Sequence, residues 1–349
     1  MKNLKQTLKT ILVLTLIITV FSCNKDDDNP TPPAETTVYV VGVEEEIDLS
    51  GTALSGTIKL WKNGVVTNLT NNGTAQARVS SVFVKDIDVY VAGSESNGTN
   101  RVAKLWKNGV VTSLTDGTQF ASASAVFVKD NDVYVTGSES NGTKGVAKLW
   151  KNGVATSLTD GTQYAGASSV FVKDDDIYVV GYEFNGINYV AKLWKNGVVT
   201  NLTDGTQIAG AVGVYVKNND VYVVGYESNG TNNVAKLWKN GVATNLSDGT
   251  QNTNATAIFV KDNDVFIVGY ESIGTNRVAK LWKNGIVTNL TNGTTKASAK
   301  SIFVKDNDVY VAGYEYNVTN PVAKLWKNGV ATNLSDGTQY TTANAVFVK

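Results

Sequence analysis

The chain contains no histidine, a single cysteine and only four prolines. Without histidine it cannot form a Ser/His/Asp or Cys/His catalytic arrangement, and zinc sites built on cysteine and histidine are excluded. Cys23 has no second cysteine to pair with, so an intramolecular disulfide bond is excluded as well. Hydrolysis by a pair of carboxylates needs only Asp and Glu and stays open on composition alone.

Helical periodicity is also absent after the N-terminus, whereas short runs of valine, isoleucine, threonine and aromatic residues are frequent. Residues 167–210 contain four such runs, separated by turn-forming residues. Asn196-Gly197, between the third and fourth runs, suits a type I′ turn because both turn positions require positive φ. The pattern predicts four short antiparallel strands and no helix.

One motif, Val-Ala-Lys-Leu-Trp-Lys-Asn-Gly, recurs along the chain. A diverged copy occupies residues 57–64, and its Trp61 precedes the next tryptophan by 45 residues, after which the interval is 44. The complete copies lie at 102–109, 146–153, 190–197, 234–241, 278–285 and 322–329. A fixed period of this length indicates an array of one supersecondary unit.

Four antiparallel strands per repeat are typical of a propeller blade, so the sequence predicts an all-β fold, a seven-bladed β-propeller over residues 37–349. The first repeat begins with its second strand, and the chain ends on 345–349, a first strand with no partner after it. We therefore expect the C-terminal strand to complete the first blade and close a monomeric ring. An open solenoid is the alternative, but it would need capping repeats that the sequence does not show.

The N-terminus has the layout of a secretory signal peptide over residues 1–22, with a basic start, an apolar segment at 11–21 and Ser22 before Cys23. The apolar segment is short for a transmembrane span. Residues 20–23 resemble a bacterial lipobox, which implies that Cys23 carries a lipid such as palmitate and anchors the protein in a membrane. An ordinary signal peptide followed by a chance cysteine is the alternative.

Residues 23–36 are predicted to form a lipidated, disordered tether, kept extended by three prolines. The run Asn-Lys-Asp-Asp-Asp at 24–28 resembles the export tag of surface lipoproteins in Bacteroidota, although a solvated charge run has the same composition. The tag implies an outer-membrane protein that faces the cell exterior.

The net charge argues against nucleic acid as a partner. Removing the signal peptide takes away Lys2, Lys5 and Lys9, so the 31 basic residues become 28 against 31 acidic ones, a net charge of −3. Nucleic-acid binding favours a basic surface instead.

Charged residues that could carry chemistry recur in every repeat. Glutamates occupy one repeat position at Glu44, Glu95, Glu139, Glu183, Glu227, Glu271 and Glu315, and lysines occupy another at Lys59, Lys104, Lys148, Lys192, Lys236, Lys280 and Lys324. Because the two positions lie on adjacent predicted strands, we expect structural ion pairs. A ring of glutamates that binds a cation is the alternative. A single active site would need asymmetry, and none of these acids stands out.

Two other repeated features have structural explanations. The Asp-Asn-Asp turns at 130–132, 262–264 and 306–308 suit tight turns, whereas calcium loops are longer and supply more oxygen ligands. We therefore expect no metal site and no cofactor. The seven tryptophans are expected to pack between blades, with stacking against sugars as the alternative.

The repeats differ mainly in two loops, the link between blades and the connection from the second to the third strand. In an up-and-down blade both loops emerge on one face, and variable loops on a rigid scaffold are where binding usually occurs. Neutral drift on exposed loops would give the same variation. The candidate binding face comprises Phe120, Tyr164, Phe184, Ile208, Asn252, Lys296, Tyr316 and Tyr340.

The repeat length is similar to that of WD40 repeats, but the Trp-Asp signature and the Gly-Gly of kelch repeats are absent. Residues 37–349 resemble the Trp-Lys-Asn-Gly propeller repeats of Bacteroidota lipoproteins, which implies a location in the cell envelope. Together these features suggest a non-enzymatic scaffold that binds a protein or another ligand. A multivalent carbohydrate-binding lipoprotein is the alternative, and a glycan-cleaving enzyme is a third.

Overall fold

The computed structural model describes residues 36–47, 53–70 and 76–349. The predicted signal peptide, Cys23 and the tether up to residue 35 lie outside these ranges. Among the described residues, no helix is long and apolar enough to cross a membrane.

The described residues form 28 strands in seven four-stranded antiparallel sheets, which confirms the predicted all-β, seven-bladed propeller. Blade 1 has the order β28-β1-β2-β3, and blades 2 to 7 each use four consecutive strands from β4 onward. The strands are β1 Val38–Ile47, β2 Ala53–Lys62, β3 Val65–Asn68, β4 Arg78–Lys85, β5 Asp88–Ser96, β6 Arg101–Lys107, β7 Val110–Ser113, β8 Ala121–Lys129, β9 Asp132–Ser140, β10 Gly145–Lys151, β11 Val154–Ser157, β12 Ala165–Lys173, β13 Asp176–Phe184, β14 Tyr189–Lys195, β15 Val198–Asn201, β16 Ala209–Lys217, β17 Asp220–Ser228, β18 Asn233–Lys239, β19 Val242–Asn245, β20 Thr253–Lys261, β21 Asp264–Ile273, β22 Asn276–Lys283, β23 Ile286–Asn289, β24 Ala297–Lys305, β25 Asp308–Tyr316, β26 Pro321–Lys327, β27 Val330–Asn333 and β28 Tyr340–Val348.

The C-terminal strand closes the ring, as the sequence predicts. β28 pairs with β1 from Val38↔Val348 to Glu45↔Tyr340. The side chain of Asn344 then reaches forward to blade 2, where its Nδ2 donates a hydrogen bond to the carbonyl oxygen of Val79 over 2.7 Å. The last strand therefore links the first blade to the second as well as completing it.

The core lies between blades. All seven tryptophans are at most 2% exposed, and each packs against the preceding blade. Trp194 of blade 4, for example, contacts Tyr134 and Ala147 of blade 3. Burying such a side chain contributes ~2–3 kcal/mol, and the expectation that the tryptophans pack between blades is confirmed.

The Lys-Asn-Gly hairpins are type I′ turns held by side-chain contacts. In blade 3, φ is +52° at Asn152 and +82° at Gly153. The Asn152 Oδ1 accepts the amide of Val133 over 2.8 Å, and its Nδ2 donates to Asp132 Oδ1 over 2.7 Å. Lys151 Nζ lies 2.7 Å from Asp132 Oδ2. Blades 2 to 7 all repeat this arrangement, which explains why these hairpins hardly vary.

Candidate functional site

The variable loops gather on one face of the ring, which we call the loop face; the invariant hairpins form the opposite, hairpin face. A cavity of about 290 Å³ on the loop face joins Thr143 and Lys144 of a strand-connecting loop to Phe120 and Tyr164 of the inter-blade links. The arrangement of the two loop types on one face is therefore as the sequence predicts.

The first group of candidate residues lines an aromatic groove over blades 3 and 4. Phe120 and Tyr164 are 49% and 44% exposed. Each is covered by a cation: Arg101 Cζ lies 5.2 Å from the Phe120 ring centre, and Lys144 Nζ lies 4.3 Å from that of Tyr164. A cation over a ring face fixes the ring and leaves its other surfaces available for contact.

Two tyrosines that the sequence analysis missed complete the aromatic groove. Tyr182 and Tyr189 line the same cavity as Phe120 and Tyr164, and their rings meet edge to face with centres 5.3 Å apart. Tyr182 fits there because its cross-strand partner is Gly166, where an added Cβ would lie 2.8 Å from the Tyr182 hydroxyl oxygen. A tyrosine opposite a glycine would mark this position only once the strand register is known.

Three other candidates take different roles. Phe184 lies 5.3 Å from Tyr189, measured between ring centres, at the border of the aromatic groove. Ile208 is 46% exposed on the next inter-blade link. Asn252 is occupied structurally, because its Oδ1 accepts the amide of Asn233 over 2.8 Å.

The remaining candidates, Lys296, Tyr316 and Tyr340, line a second cavity of about 390 Å³ together with Arg277. The hydroxyl of Tyr316 donates to that of Tyr340 over 3.5 Å. Burial raises the pKa of Tyr340, so the phenol stays protonated at neutral pH. The structure thus places five of the eight candidates in two separate cavities, and Phe184, Ile208 and Asn252 line neither of them.

The central channel carries a second set of varied residues that the sequence analysis missed. Each first strand has a β-bulge, and the unpaired bulge residue lines a channel cavity of about 280 Å³. The seven bulge residues are Ser80, Ser124, Ser168, Val212, Thr256, Lys300 and Asn344. A bulge adds one residue to one strand, so the side chains after it point to the opposite face from the one that strict alternation predicts. A period-two sequence pattern therefore does not identify the bulge residues.

Nearer the hairpin face, seven aromatic rings form a closed circle around the channel. Neighbouring ring centres are 4.7–5.1 Å apart, and the last ring contacts the first. The members are Phe83, Phe127, Phe171, Tyr215, Phe259, Phe303 and Phe347. Such contacts stabilise the ring beyond the area they bury.

The repeated glutamates and lysines pair within every blade, which confirms the structural ion pairs that the sequence predicts. The Nζ to carboxylate oxygen distances run from 2.7 Å for Lys280–Glu271 to 4.0 Å for Lys104–Glu95. The described residues contain no group of three or more acids or cysteines that could hold a metal ion. The second aspartate of each Asp-Asn-Asp turn, such as Asp132, instead binds a lysine and an asparagine side chain.

Comparison with known proteins adds the fold and no activity. No family model matches this chain, and no curated protein matches it. An acylaminoacyl peptidase from Pyrococcus horikoshii is similar in structure, with a TM-score of 0.52 and 12% identity over 86% of this chain and 51% of the peptidase. The chain therefore spans about half the length of that enzyme, and at such identity the likeness supports the propeller fold alone.

Two further solved structures are similar at lower scores. The computationally designed Ika8 protein has a TM-score of 0.47 and 21% identity, covering 88% of this chain and 90% of its own. TolB from Acinetobacter baumannii has a TM-score of 0.48 and 13% identity, covering 88% of this chain and 81% of its own.

Proposed function

We propose that this chain is a non-enzymatic binding scaffold that captures a protein or other ligand through its loop face. One observation carries the proposal: side chains that differ between repeats line the cavities of the loop face and the channel, while the opposite hairpins repeat almost unchanged. A rigid ring that varies on one face has the organisation of other scaffolds that bind through loops.

The charge arrangement supports a binding role over a catalytic one. Each repeated glutamate is held by a lysine of its own blade, and each strand-opening aspartate of blades 2 to 7 is held by a lysine and an asparagine. General acid–base catalysis by carboxylates needs two acids with different environments, whereas these recur in equivalent surroundings.

A capture experiment with matched variants tests the scaffold. Three versions of the full chain are compared: the parent, a loop-face variant with Phe120→Ala and Tyr164→Ala, and a control variant with Ile87→Ala. Ile87 lies on the hairpin face and is 88% exposed. We expect the loop-face variant to lose its partners from solubilised cell envelope, with the control unchanged. Equal capture by all three proteins would refute the proposal.

A second candidate function, binding of carbohydrate, is favoured by the aromatic groove. Partly exposed aromatic rings with polar neighbours, such as Ser138, Ser140 and Thr143, suit the apolar faces and hydroxyls of a sugar. A glycan array probed with the full chain and with Tyr164→Ala tests this. We expect signals that the variant reduces, and an array without signals would remove this candidate.

We further propose that a lipid on Cys23 holds the protein, as a monomeric ring, at the outer membrane with the ring outside the cell. The lipobox resemblance of residues 20–23 supports the lipid. Metabolic labelling with a palmitate analogue should label the full chain and leave Cys23→Ala unlabelled. Added protease should digest the protein on intact cells; labelling of both proteins, or full protection, would contradict the proposal.

A further inference from the structure

Two cavities, one at the rim of the loop face and one at the mouth of the channel, share the side chains of Tyr314 and Tyr340 in their walls, and we call this adjoining pair the cleft. The outer cavity, of about 390 Å³, contains Arg277 and Lys296. The inner cavity, of about 510 Å³, contains Arg78 and Lys300. Both are lined by Tyr314 and Tyr340. Together they have the size of a small-molecule site.

The cleft concentrates positive charge that protein acids do not neutralise. Within the described residues, none of its four cations lies within 4.0 Å of a carboxylate oxygen, and the acid in the wall is Glu45. A backbone bridge places Lys296 beside Arg277. Lys300 Nζ lies 5.6 Å from the centre of the Tyr314 ring. Burial lowers the pKa of Lys300, and the nearby charge of Arg277 lowers it further.

The blade fold does not require a lysine at position 300. The repeat equivalents of Lys300 include Ser80, Ser124 and Ser168, in blades of the same architecture. Gathering like charges in a half-buried cleft costs stability, so a lysine at a position that is uncharged in all six other blades is best explained by a ligand. An anion would pair with the cations and restore the usual pKa of Lys300.

We propose that this cleft binds an acidic sugar, a hexuronate unit of a glycan, with its carboxylate toward Lys300 and Arg277. The tyrosine rings offer faces for the apolar side of a sugar ring. Ser80 and the free Oδ1 of Asn344 can bind its hydroxyls, since the Nδ2 of Asn344 is already committed to Val79. The inference rests on the proposed binding function of the loop face and assigns one ligand class to part of it.

Calorimetry with the full chain tests the proposal. The probes are galacturonate and glucuronate disaccharides, their methyl esters and inorganic phosphate. We expect at least one acidic disaccharide to bind. Its methyl ester has nearly the same shape without the charge and should bind at least roughly tenfold more weakly, since a charge-assisted hydrogen bond contributes about that much to the affinity. No binding by either acid, equal binding of the esters, or phosphate binding as tightly as the sugar would overturn it.

Two substitutions separate the effect of the cleft from that of the overall charge. Lys300→Ser introduces the residue of three other blades, so folding should persist, and we expect affinity to fall roughly tenfold or more. Lys62→Gln removes one positive charge from an exposed side chain of the hairpin face and should change affinity by less than about twofold, because salt screens distant charges. Equal losses in both variants, or none with Lys300→Ser, would refute the site. If no acidic sugar binds but partners are still captured through the loop face, only this inference is refuted. If the variant with Phe120→Ala and Tyr164→Ala also captures partners as well as the parent does, the proposed function is refuted too.

Discussion

The amide of Thr37 donates a hydrogen bond to the carbonyl oxygen of Lys349 over 2.8 Å, and the amide of Lys349 returns one to Thr37 over 2.9 Å. The two ends of the propeller are thus joined within a single sheet. Lys349 also extends its ammonium group to the carbonyl oxygen of Asp86 in blade 2. Ring closure depends on a few residues at the very end of the chain.

Removing residues 345–349 should therefore destabilise the whole ring. The deletion exposes the partners of Ala345, Val346 and Val348, all buried, and breaks their pairing with β1. We expect a loss of roughly 5 kcal/mol, which lowers Tm by about 10 °C. Circular dichroism melting measures this. Lys349→Ala, which keeps the strand, should melt within a few degrees of the parent, and a deletion that melts like the parent would contradict closure.

A glycine beside each bulge permits close approach of the strands. At Gly137, an added Cβ would lie 1.9 Å from the carbonyl oxygen of Ser122. Gly137→Ala should cost roughly 3 kcal/mol because the backbone must move. Gly145→Ala is the matched control in the same blade, since its position holds arginine or tyrosine in other repeats, and it should change stability by less than about 0.5 kcal/mol. Urea unfolding compares the two; equal effects would contradict the close approach.

The asparagine of the Lys-Asn-Gly hairpin stabilises the fold in two ways, through its side-chain hydrogen bonds and through its tolerance of positive φ. Substitutions can separate these two contributions. Asn152→Ala loses two hydrogen bonds and leaves at φ +52° a residue that tolerates the left-handed region less well than asparagine, so we expect a loss of roughly 2–3 kcal/mol. Asn152→Gly loses the same hydrogen bonds but accepts that φ, and should cost roughly 1 kcal/mol less. Urea unfolding would contradict this account if alanine and glycine were equivalent.

Stability should fall in acid. Hydrogen bonds from lysine, and then from asparagine, hold the pKa of the strand-opening aspartates, such as Asp132, below the ordinary value. The same direction holds for Asp88, Asp132, Asp176, Asp220, Asp264 and Asp308. Because a lowered carboxyl pKa contributes stability above the unfolded value of about 3.9, that contribution is lost as pH falls through the folded pKa.

Melting curves at pH 7, 5 and 3 check the sign. We expect Tm to change little between pH 7 and 5 and to drop at pH 3. Added salt at pH 7 should lower Tm slightly, because the pairs are exposed and screened. A Tm that is unchanged or higher at pH 3 would show that these carboxylates do not gain their partners on folding.

The architecture could be predicted from sequence because the relevant signals are local and repeated. The 44-residue period gives the blades, and Asn-Gly marks the type I′ hairpins. The missing first strand and the surplus last one indicate closure. The exposure of valines such as Val110 could not be predicted in the same way. Val110 is β-branched like the residues of buried strands, but it lies on the outermost strand of its blade and is 71% exposed.

The candidate site could be predicted only in part. The loop positions vary visibly, so Tyr164 and Tyr340 were accessible to sequence reasoning. Lys300 was not, because a bulge directs it into the channel and no period-two pattern reveals a bulge. The pairing of Tyr182 with Gly166 likewise depends on strand register, which the loop lengths alone did not supply.

The bulge positions show how a duplicated chain can acquire new chemistry. Serine, valine, threonine, lysine and asparagine all occupy one place in the repeat, while the hydrogen bonds and buried tryptophans of the blades stay the same. Each repeat is therefore a natural substitution experiment on the other six. The channel lining could therefore be changed by substituting, at a bulge position, the residue that another repeat has there. The other repeats already show that the blade folds with that residue.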